Sequence, residues 1–90
     1  MRTKRDIEEV ICTTIEKVTG TLISDYNTNL LGKHIGILPA NFLYIFEILR
    51  IELELPVYEV LEKASFSVMT IANLAFEFHK QRKKMDAHTT

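Results

Sequence analysis

Residues 39–56 read PANFLYIFEILRIELELP, and the period assigned to this run decides between a helical and a sheet protein. The core of it, Phe42 to Ile51, is apolar almost all round, so alternation alone does not distinguish a buried strand from a buried helix. Two observations favour the helix. Pro39 suits a first helical position, where its missing N–H would have no intrahelical partner. Glu47 and Arg50, the only charges from Phe42 to Ile51, lie three apart and mark one wet helical face. One turn back, that face carries Leu43 and Tyr44, while Ile45, Ile48 and Leu49 point inward. Pro56 stops the segment, and Glu52-Leu53-Glu54-Leu55 before it alternates like an extended piece, so the helix is expected near 39–52.

Upstream, Thr3 and Asp6 form a short capping box, and Ile7, Val10, Ile11, Ile15 and Val18 make one stripe at three- and four-residue spacing. Gly20 supplies a left-handed end, giving a helix near 4–18. Residues 20–37 show no period. Asp25 to Asn29 is turn chemistry, with Leu30, Leu31 and Ile35 as apolar anchors. Downstream, Val57, Val60 and Leu61 predict a short helix near 57–62. Ser67 is an N-cap candidate for a last helix near 67–82, striped by Val68, Ile71, Ala72, Ala75 and Phe78. Residues 85–90 are expected to fray. The expectation is an all-α four-helix bundle over 1–84, with a long first loop, a short third helix and no paired sheet.

Composition agrees with one small domain. Ninety residues, 47% of them apolar, can bury a core without metal or disulfide staples. No apolar run reaches the ~20 residues of a membrane span, and no secretory signal pattern opens the chain. The lone Cys12 has no internal disulfide partner, so a soluble cytoplasmic protein is expected. Seven of eleven basic residues sit at the ends: Arg2, Lys4, Arg5, Lys80, Arg82, Lys83 and Lys84. Between 6 and 78, four bases face eleven acids, a balance that argues against a phosphate-tracking surface.

Catalytic signatures are missing from the sequence. His34, His79 and His88 fall in separate segments, away from metal-ligand spacing. Glu52 and Glu54 read as solvated, and Cys12 as a small inert thiol. No enzyme, cofactor or metal is expected.

Across roughly 5–78 the chain resembles the acyl carrier proteins. Asn29-Leu30-Leu31 followed by Ile35-Gly36 is similar to their Leu-rich loop ending in Gly-x-Asp-Ser-Leu. Glu54-Leu55-Pro56 is similar to the Glu-Ile-Pro that closes their second helix. Glu62-Lys63 through Phe66-Ser67-Val68 and Ile71 is similar to the entry to their last one. The resemblance implies their four-helix fold, with phosphopantetheine carried on the Ser of Asp-Ser-Leu. Here that triplet becomes Leu38-Pro39-Ala40 when aligned on Gly36, and the Ser position becomes Ile37 when aligned on Pro56. No serine occurs from Asp25 to Ala64, so the arm has no hydroxyl at either place. The family's second helix is also acid-rich, whereas this one offers Leu43, Tyr44, Glu47 and Arg50.

The leading expectation is a non-catalytic, carrier-related interaction protein without the swinging arm. It would serve as an accessory or scaffold in a biosynthetic or peptide-maturation pathway, with a pathway enzyme as partner or self-association through that face. One alternative is a small nucleic-acid-binding helical protein using the basic ends. Another is a carrier modified at an unexpected residue such as Ser24 or Thr28.

Overall fold

A computed structural model describes residues 3–64 and 69–88 and contains four helices: α1 (Lys4–Thr19), α2 (Pro39–Leu53), α3 (Val57–Lys63) and α4 (Ile71–His88). No strand occurs among the described residues. Helix α1 packs against both α2 and α4, while short α3 bridges α2 and α4.

The start of α1 follows from its capping chemistry. Thr3 Oγ1 accepts the Asp6 N–H at 3.1 Å, and the Asp6 carboxylate accepts the Thr3 N–H at 3.0 Å. Two N–H groups that the helix itself leaves unpaired are thereby satisfied. Gly20, at φ 77°, ends the helix, and its N–H returns to the Glu16 carbonyl. The stripe Ile7, Ile11 and Ile15 is fully buried. It meets Ile45, Leu49 and Leu53 of α2, Val57 and Leu61 of α3, and Ile71, Leu74, Ala75 and Phe78 of α4 in one core.

The loop from 20 to 38 is packed by its own apolar residues. Ile23 and Leu30 are buried, while Leu31 stands 58% exposed. Two backbone bonds tie the loop to the beginning of α4: Leu30 N–H to the Met69 carbonyl, and Ala72 N–H to the Tyr26 carbonyl. This loop alters the orientation expected for α2. Phe46 is buried and stacks on Phe42 at 5.9 Å, whereas Ile48 is only half-buried. The loop supplies a second apolar wall, through Leu31 and Ile37, to which Phe42 and Phe46 turn.

Two helix ends differ from the sequence expectation. Residues 52–55 are not extended. Glu52 and Leu53 complete α2, and Glu54 reverses the chain in the left-handed region at φ 55°. Leu53 and Leu55 both reach the core because the chain turns between them. Helix α4 begins at Ile71, where Thr70 Oγ1 accepts the Asn73 N–H at 3.1 Å. Ser67 and Val68, the N-cap and first stripe residue expected there, lie outside the described residues. At its far end α4 runs on to His88, past the end expected near 82; Met85 packs on the core and Arg82 pairs with Asp86 one turn on.

Candidate functional site

Helix α2 opens with Pro39 at its first turn and Leu38 in the N-cap position, whose apolar side chain caps nothing. Both are exposed, and Ile37 just before them is half-buried against the core. Neither register of the Asp-Ser-Leu alignment therefore offers a hydroxyl at the helix start. Ser24 and Thr28 belong to the long loop that precedes α2.

The outward face of α2 is apolar to an unusual degree. Leu43 is 63% exposed, Tyr44 66% and Ile51 64%. Tyr58 of α3 adds a fourth exposed large side chain. Ala40, Leu43, Tyr44, Glu47 and Tyr58 line an open groove of about 460 Å³ between α2 and α3.

The polar centre of this face is Glu47. Its Oε1 accepts from the Arg50 guanidinium, through Nε at 3.2 Å and through Nη2, and its Oε2 accepts the Tyr58 hydroxyl at 3.1 Å. These hydrogen bonds, Arg50's first, hold the Glu47 carboxyl below the usual carboxylate range. Tyr58 is pushed up, by partial loss of solvent around it and then by donation to Glu47. Leu43, Tyr44, Glu47 and Arg50, expected together from the sequence, do share one surface. Ile51 and Tyr58 were not anticipated there. Ile51 sits one turn beyond Glu47 and was legible from helical spacing, whereas Tyr58 comes from another helix and leaves no local signal.

Elsewhere, Cys12 is buried and its thiol donates to the Ile23 carbonyl at 3.4 Å. The neighbouring Tyr26 hydroxyl has a raised pKa, chiefly from burial and secondarily from Cys12. A second groove, of about 400 Å³, runs beside Pro39 between Leu31, Phe42, Phe46 and Met69. A third cleft, lined by Asp6, Glu52, Glu54 and Arg82, lies between the first turn of α1, the end of α2 and α4, while Lys80 and Lys84 line a separate cleft beside α3. Acids interleave with the basic ends: Lys4 pairs with Glu8 and Arg82 with Asp86. His34 is exposed in the loop and His79 half-buried on α4. Among the described residues no group of three or more His, Cys, Asp or Glu could hold a metal ion. Nor is any described helix long and apolar enough to cross a membrane.

Comparison of the chain with family models, with curated proteins and with solved structures found no match. The fold and surface define a small helical bundle with one exposed apolar helix face.

Proposed function

We propose that this chain is a non-catalytic, acyl-carrier-related interaction protein that lacks the prosthetic arm and works through the outward face of α2. In this reading it is an accessory or scaffold in a biosynthetic or peptide-maturation pathway, located in the cytoplasm, and its partner is a pathway enzyme. The observation that carries the reading is Pro39 at the first turn of α2. In the resembled family this position presents the hydroxyl that attacks coenzyme A, and proline has none. The helix order, with a long first connection and a short α3, is compatible with that ancestry. The α2 face supports a contact role, because adjacent exposed apolar side chains cost solubility and persist most readily where a partner covers them. With one acid and one base, paired to each other, it offers little long-range charge steering.

Intact-mass measurement after incubation with coenzyme A and a broad-specificity phosphopantetheinyl transferase tests the reading. The mass should not change. A phosphopantetheine adduct on Ser24, Thr28 or any other residue would establish an active carrier instead.

A further inference from the structure

We infer that the outward face of α2 is covered, when no other partner is present, by the same face of a second copy packed antiparallel about a two-fold axis. The inference rests on the proposed use of this face, though not on the carrier resemblance. Three features select a second copy as the occupant. The first is spacing. Tyr44 and Ile51 lie three residues before and four after Glu47, on the same flank of the helix. A two-fold axis passing beside Glu47 therefore sets Tyr44 of each copy against Ile51 of the other, and a two-fold contact repeats every favourable pair.

The second feature is charge. Glu47 and Arg50 are one turn apart on this face, and antiparallel packing brings Arg50 of each copy within side-chain reach of Glu47 of the other. Two acids and two bases then alternate in one cluster with no net charge. A surface that carries both signs about its own midpoint is complementary to itself. The third is area. Leu43, Tyr44, Ile51 and Tyr58 expose roughly 450 Å² between them, so two copies covering all of it would bury at most about 900 Å² from these residues. With Ala40, Glu47 and Arg50 added, the contact reaches the ~1,000 Å² floor for specific interfaces. Such a size fits a weak, exchangeable dimer, which a pathway partner could displace.

Sedimentation velocity over a wide concentration series tests this on the full chain. The wild type should show a concentration-dependent dimer, and Tyr44→Ala should weaken it by roughly fivefold or more. Arg50→Glu leaves four carboxylates facing one another, and Glu47→Arg leaves four guanidinium groups, so each variant alone should be monomeric. An equimolar mixture of the two should dimerise again, because every cross-contact then joins opposite charges. Circular dichroism of each variant establishes that it is folded. Restoration on mixing has no source in the lost intrahelical Glu47–Arg50 pair, so it reports the contact itself. A wild type that stays monomeric overturns the inference while leaving the face open to a different protein. So does a dimer that survives both single variants, or a mixture that stays monomeric. None of these outcomes bears on the mass test for the missing arm.

Discussion

The Tyr58 hydroxyl donates to Glu47 across the groove between α3 and α2, at 3.1 Å, joining two residues eleven positions apart. With Arg50 on its other oxygen, Glu47 has both carboxylate oxygens occupied on an otherwise apolar face. The charge is thus tolerated between Tyr44 and Ile51, and the side chain is held in one orientation.

The first prediction concerns protonation. The folded-state pKa of Glu47 is depressed, so its small stabilising contribution is present above the unfolded value and is lost as pH falls through the folded one. Arg50→Gln should return the Glu47 pKa upward, towards the ordinary carboxylate range. Tyr58→Phe should do the same to a smaller degree. Carbon-detected NMR titration of the Glu47 carboxyl reads both, and a pKa unmoved by Arg50→Gln would show that the pair does not hold it.

The second prediction separates surface from core on neighbouring residues. Ile45 is 2% exposed and Tyr44 66%. Ile45→Ala should destabilise the fold by roughly 2–5 kcal/mol through lost burial and a residual cavity. Tyr44→Ala should leave stability almost unchanged but weaken association through this face by ~1–3 kcal/mol. Urea melts and a binding titration decide it. The reverse pattern in the melts would mean that α2 is rotated about its axis.

A third prediction uses the turn after α2. Glu54 adopts φ 55°, where a Cβ crowds the following carbonyl, and its own carbonyl accepts a hydrogen bond from Arg82 Nη1 at 3.3 Å. Glu54→Gly keeps that bond and relieves the crowding, less the extra entropy glycine has when unfolded. The urea midpoint should rise, by an amount equivalent to about 0.5–1 kcal/mol. A fall would place the strain elsewhere.

The start of α2 supplies the fourth. Leu38 occupies the N-cap without capping, so Leu38→Asp should accept an amide of the first turn and stabilise the protein by ~1 kcal/mol. Combined with Pro39→Ser it rebuilds the Asp-Ser pair of the resembled family. Incubation with coenzyme A and the transferase should then give at most partial modification, since the transferase also reads an acid-rich second helix. Complete conversion in the mass spectrum would show that the missing hydroxyl was the whole barrier.

The local elements were legible because their signals are local. The Thr3–Asp6 box, the isoleucine stripe of α1, Gly20 and Pro39 act within a few residues, and each produced the helix end or face that its chemistry requires. The exposure of Leu43 and Tyr44 followed from Glu47 and Arg50 by helical spacing alone. What the sequence did not determine depends on contacts between distant segments. The period of α2 is nearly blank because it is apolar on every side, so the choice of Phe46 over Ile48 for burial fell to the wall formed by the long loop. Glu54 takes a glycine-like conformation because the chain must turn sharply between Leu53 and Leu55 for both to enter the core. Met85 keeps α4 helical past Arg82 because the core reaches that far. Tyr58 joined the candidate site only when α3 packed beside α2, since a hydrogen bond spanning eleven residues and two helices has no periodic trace in the chain.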